Sequence, residues 1–159
     1  MPNNPWKIAD NESFLTSSDG TATIRYEHLA EWRMNAPLGG ECYVGVKLDV
    51  NNVKTYKVSD LAGYPAVWQT DGKKFAVPLW IIIKNEDEEQ SQTVFQRLGV
   101  VDVEKLTLTT YQRKFEVLNI ESFVSSTVTA IDSPIYLPKN IEFDIEKEAV
   151  ESVVELRFV

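Results

Sequence analysis

Residues 64–84 constrain the fold more than any other stretch of this chain. They read YPAVWQTDGKKFAVPLWIII followed by Lys84, the most apolar run in the sequence joined to its clearest turn signal. Asp71-Gly72 separates two segments rich in β-branched and aromatic residues. A type I′ turn needs positive φ at both central positions, which Asp-Gly adopts at little cost, so the spacing predicts a β-hairpin. Its second arm, Phe75 to Ile83, ends in Leu79-Trp80-Ile81-Ile82-Ile83. A strand wet on one side alternates apolar and polar residues; one apolar at every position is expected to be covered on both faces.

Charge narrows the partners. The chain has 159 residues, with 24 acidic against 16 basic side chains and a net charge of −8. Phosphate-backbone binding rests on excess Lys and Arg, so nucleic acid is not expected as a partner. The same charge repels anionic lipid, and the longest apolar run falls far short of the roughly 20 residues that span a bilayer. No membrane association is expected. The single cysteine, Cys42, permits no disulfide within the chain, and no Cys-x-x-Cys pair exists to hold zinc. The N-terminus has no basic start followed by an apolar segment, so classical secretion is not expected, with a mature chain or another export route left open. The expected location is cytoplasm or virion. Asn11-Glu12-Ser13 fits a glycosylation acceptor, but such triplets occur by chance and it carries no weight.

Residues 1–20 carry Pro2, Pro5, several Asn and Ser17-Ser18-Asp19-Gly20, and they predict an extended arm ahead of a single β-rich domain over 21–159. Within the arm, Trp6, Phe14 and Leu15 are the candidate contacts, docking onto the chain's own body or onto a neighbouring subunit. Thr21 to Ile24 is strand-like. Tyr26, Leu29, Ala30 and Met34 then recur near helical spacing and predict a short helix over 25–34, ending before Asn35-Ala36-Pro37. Leu38-Gly39-Gly40 is expected to turn. Cys42, Val44, Val46, Leu48 and Val50 alternate as the apolar face of a strand, with Asn51-Asn52 turning into a second one at Val53 to Val58.

Past the central hairpin, 85–90 is an acidic loop, and Ser91 could cap a short helix through Leu98, although a strand fits 93–101 nearly as well. Between 103 and 118 the apolar positions switch from even to odd numbers, which predicts a turn or bulge near Gln112 to Lys114. Phe123 to Ile131 is strand-like and Asp132-Ser133-Pro134 breaks it. Ile141, Phe143 and Ile145 alternate with Glu142, Asp144 and Glu146. A helical turn over 146–152 and a last strand through Val154, Leu156 and Phe158 complete the chain. The predicted class is mainly β: an antiparallel sandwich or barrel of about eight or nine short strands with one or two short helices.

Few residues carry chemistry. His28 is the sole histidine, which leaves no catalytic triad or multi-histidine site within one chain; with Glu31 it makes half of a metal site at most, and an ordinary surface or half-buried imidazole is the expected reading. There is no Gly-x-Ser-x-Gly, dinucleotide or phosphate-loop pattern. Cys42 on an apolar strand face is expected to act as a small hydrophobe with a raised pKa. No metal or other cofactor is expected. The sequence therefore predicts a non-enzymatic structural or interaction protein, a subunit of a larger assembly of self-copies or other proteins, such as a capsid-decorating, neck or tail component of a phage particle. An acidic immunity or inhibitor protein is a variant of that expectation. The alternative is a small β-sandwich binding a carbohydrate or peptide through Tyr64, Trp68, Glu142 and Asp144.

Overall fold

Alternation of period two organises nearly the whole chain in the computed structural model, which describes residues 3–8, 14–70, 72–85 and 92–159. The strands are β1 (Phe14–Thr16), β2 (Ala22–Glu31), β3 (Leu38–Asp49), β4 (Asn52–Gly63), β5 (Val67–Trp68), β6 (Lys74–Lys84), β7 (Gln92–Asp102), β8 (Thr107–Tyr111), β9 (Leu118–Val124), β10 (Thr127–Asp132), β11 (Lys139–Asp144), β12 (Val150–Glu155) and β13 (Arg157–Phe158). One sheet runs β1-β2-β3-β4-β6-β7-β8-β12, with β5 added to β6 and β13 to β4. A second sheet runs β11-β10-β9. All pairings are antiparallel, and neither sheet closes into a barrel.

β6 lies where two cores meet. Phe75, Val77 and Leu79 face a cluster containing Ile24, Tyr26, Cys42, Val44 and Leu156. Ala76, with Leu98 and Val100 of β7, faces another built on Ile120, Phe123, Val128 and Phe143 of the smaller sheet. Phe75, Phe123 and Phe143 are fully buried, and each contributes about 1.5–3 kcal/mol of apolar burial. A hairpin is present, with Val67 paired to Ala76 and Trp68 to Phe75, but the two-residue turn is not: among the described residues the innermost bond runs from Gln69 N–H to the Lys74 carbonyl, and Thr70 N–H donates to the Phe123 carbonyl instead. The two-sided cover expected of the second arm holds from Phe75 to Trp80 and fails at Ile82 and Ile83, which are 40% and 46% exposed. β4 meets β6 at one pair, Ala62 with Leu79, and beyond Ile81 β6 and β7 run on as a ribbon past both cores.

No helix occurs among the described residues, and none there is long and apolar enough to cross a membrane. Residues 25–31, expected to be helical, belong to β2: Ala22, Ile24 and Tyr26 are buried in alternation, and pairing with β3 outweighs the helical spacing of Leu29 and Met34. Gln92–Asp102 is likewise a strand, matched to β6 along its whole length. Asp71, Asn11-Glu12-Ser13, residues 86–90 and Ser91 lie outside the described residues.

Other expectations shift by smaller amounts. Leu38-Gly39-Gly40 begins β3 instead of turning, because it pairs on both sides, with Ala30 and Glu31 of β2 and with Ala62 and Gly63 of β4; a Cβ on Gly39 would meet the Trp32 ring at 2.7 Å. Cys42 and Val44 are buried as expected, but Leu48 and Val50 are 55% and 95% exposed, since β3 and β4 overhang the core. The β3–β4 turn falls at Val50-Asn51, with Asp49 opposite Asn52. Residues 123–131 are two strands joined at Ser125, whose φ is 51°. The direction change near 112–114 is present, carrying the chain from β8 to the smaller sheet. Residues 144–148 turn, but Val150 starts β12, and of Val154, Leu156 and Phe158 only Leu156 is buried, because the chain there leaves β8 for β4.

Candidate functional site

A β-bulge in β2 brings together Glu27, His28 and Glu41, a group of three metal-ligating side chains among the described residues. Glu27 is opposite Glu41 and Ala30 opposite Gly39, so His28 and Leu29 together face Gly40. Consecutive residues of a regular strand point to opposite faces. Here His28 takes a left-handed backbone, φ 54°, and its imidazole comes round to the carboxylates. Gly40 makes the bulge feasible: a Cβ there would lie 2.8 Å from the Glu27 carbonyl oxygen and from Leu29 Cα.

One ligand atom from each of Glu27, His28 and Glu41 lies within 4.8 Å of the others. His28 Nδ1 is 3.6 Å from Glu41 Oε1, while Tyr43 donates its hydroxyl to Glu41 Oε2 at 2.6 Å. That hydroxyl, before any other influence, holds the Glu41 carboxyl below its usual range, and the same bond raises the Tyr43 pKa. Arg25 pairs with Glu27 Oε1 at 3.1 Å and stacks over the Tyr43 ring at 4.9 Å. On the next strand Lys57 pairs with Asp60, which raises the lysine and lowers the acid. Lys57 and Asp60 also border an open groove of about 200 Å³ between 57–60 of β4 and residues 154–157.

The sequence paired His28 with Glu31. Glu31 instead accepts the Asn35 amide, because the segment is a strand and not a helix. Glu41 enters the group only through the β2–β3 register, which no local pattern encodes.

The other candidate residues do not converge. Trp6 donates its indole N–H to the Asn35 carbonyl at 3.4 Å, Leu15 packs on the first core, and Phe14 is 58% exposed on the edge strand. Asn3 and Pro5 also bond to the body, through Ile120, Asn119 and Leu38. Tyr64 is buried with its ring edge-on to Tyr26 at 5.5 Å. Trp68 packs against Phe75 and donates to the Leu15 carbonyl at 2.9 Å. Glu142 faces solvent opposite Thr129, and Asp144 accepts the Glu146 amide within a turn. No aromatic-lined cleft joins these four among the described residues.

One surface feature stands out from the rest. Between β10 and β11, Ile135, Tyr136 and Leu137 follow one another at 72–79% exposure, bracketed by Pro134 and Pro138. Ser133 and Leu137 both have φ 54°, so neither end continues a strand. Three large apolar residues between two prolines, which cannot extend a ladder, are the sequence signal for such a loop. Comparison with family models, curated proteins and solved structures yields no match.

Proposed function

We propose that the protein is a non-enzymatic interaction protein, a subunit of a larger protein assembly, and that the loop at 135–137 is a contact surface. The observation that carries this reading is the exposure of three consecutive large apolar side chains at 72–79%. Water-exposed apolar groups gain nothing for the isolated chain, whereas burying them against a protein partner is favourable. β12 adds support: it ends the ladder, every residue in it is exposed, and Val150, Val153 and Val154 stand on it. An open strand edge is a template for pairing with another chain. A phage virion component is the finer class within this reading; an acidic immunity protein, using the net charge of −8 against a basic partner, is the variant. The ligand-binding alternative has less support, since Tyr64 and Trp68 are engaged inside the chain.

Sedimentation velocity of the full chain across micromolar concentrations tests this. Wild type is expected to associate with itself, and the variant Ile135→Ser/Tyr136→Ser/Leu137→Ser to sediment as a monomer with an unchanged circular dichroism spectrum. A wild type that stays monomeric throughout, or a variant that assembles equally well, overturns the reading.

A further inference from the structure

We propose that Glu27, His28 and Glu41 form a binding site for a first-row divalent transition-metal ion. The donor set is one imidazole nitrogen and two carboxylates from adjacent strands, with their ligand atoms within 4.8 Å of one another. Metal–nitrogen and metal–oxygen bonds of about 2.0–2.2 Å in tetrahedral geometry place donors roughly 3.4 Å apart. His28 Nδ1 and Glu41 Oε1, at 3.6 Å, are already near that spacing.

Three features of the fold converge on this spot. Glu27 and Glu41 are direct cross-strand partners, an arrangement that like charges make unfavourable. A cation between them reverses the sign of that interaction. His28 holds a left-handed backbone, at a cost on the order of 1–3 kcal/mol for a residue that is not glycine. Without that bulge its imidazole would point to the other face of β2. Tyr43, finally, binds one oxygen of Glu41 and leaves the other toward the imidazole. An outer hydrogen bond that orients a ligating carboxylate is a regular part of metal sites.

The imidazole selects the class of ion. Carboxylates alone suit Ca²⁺ and Mg²⁺; adding imidazole favours Zn²⁺, Ni²⁺ or Cu²⁺. Three protein donors leave a position for water or for a donor from another molecule. Arg25 competes for Glu27 through Oε1, leaving that residue's second oxygen for the ion.

Zinc titration of the full chain by calorimetry, at neutral pH in a non-chelating buffer, tests the site. One Zn²⁺ per chain is expected. His28→Asn keeps a residue that tolerates the left-handed backbone and removes the only imidazole, so it separates ligand loss from misfolding and should weaken binding at least tenfold. Tyr43→Phe should weaken it about tenfold through the lost outer bond, and Glu31→Gln should leave it unchanged. The imidazole resonances of the sole histidine should shift on zinc addition. Absence of zinc binding by wild type, or equal binding by the folded His28→Asn variant, overturns the proposal.

Discussion

Gln96 of β7 accepts the backbone amide of Leu118 of β9 on its side-chain oxygen, in a position only 1% exposed. Its own backbone amide and carbonyl exchange hydrogen bonds with Phe115 at 2.7 and 2.8 Å. One polar residue thereby fastens the smaller sheet to the larger at the point where the chain changes sheets.

Gln96→Leu removes the acceptor and leaves the Leu118 N–H buried without a partner, which costs about 1–3 kcal/mol. Urea unfolding should show the unfolding free energy fall by that amount, as a lower midpoint with the slope unchanged. A loss no larger than that of an exposed substitution would show that the amide is satisfied by other means.

Gly40→Ala should destabilise by about 1–3 kcal/mol, because the new methyl meets backbone atoms of Glu27 and Leu29 at 2.8 Å and backbone cannot rotate away. Since the same atoms define the bulge, the amide resonance of His28 should move more in this variant than any resonance of β9–β11.

Trp68→Phe keeps the ring packed on Phe75 and deletes the N–H that reaches the Leu15 carbonyl. The loss is expected near 1 kcal/mol. Amide hydrogen exchange should speed up at 14–16 and in their partners on β2, while the β6–β7 ladder keeps its protection.

Asp19 sets a pH dependence. The Thr21 hydroxyl, then the Thr21 amide and the Ser17 hydroxyl, lower its pKa from 3.8 to about 2. The depressed folded-state value means that its stabilisation is fully present above about pH 4 and disappears as pH falls through about 2. Carbon-detected titration of its carboxyl should give a midpoint near 2, and the stability gap between wild type and Asp19→Asn should narrow over that window.

Cys42 is completely buried, and burial pushes its thiol far above the ordinary range. A disulfide reagent at mild alkaline pH should modify it no faster than the protein unfolds, and immediately in denaturant.

Some of this was legible before any coordinates. The Asp71-Gly72 signal located a hairpin, and the alternation at Cys42 and Val44 found a core strand, because both are short-range properties of the chain. Residues 25–34 misled because Tyr26, Leu29 and Ala30 satisfy a helical period once a bulge has inserted an extra residue, and the pairing that decides between the two periods comes from β3. The overhang of Ile82, Ile83, Leu48 and Val50 was hidden for a similar reason: whether an apolar position is covered depends on how far its neighbour strands extend. In the sequence His28 reads with Glu31 as half of a metal site at most; the carboxylates it meets, Glu27 and Glu41, follow from register, which is fixed by the sheet as a whole.

Asn3 donates to the Ile120 carbonyl at 2.8 Å, and Asn119 donates back to the Asn3 carbonyl at 2.9 Å. These reciprocal bonds span 117 and 116 positions in the chain. During synthesis the Asn3 clasp therefore has to wait for β9, whereas Pro5 and Trp6 meet their partners Leu38 and Asn35 far earlier in the chain. A nascent chain halted before β9 would already hold this segment by Pro5, Trp6 and the packing of Ile8, with its Asn3 end still unclasped.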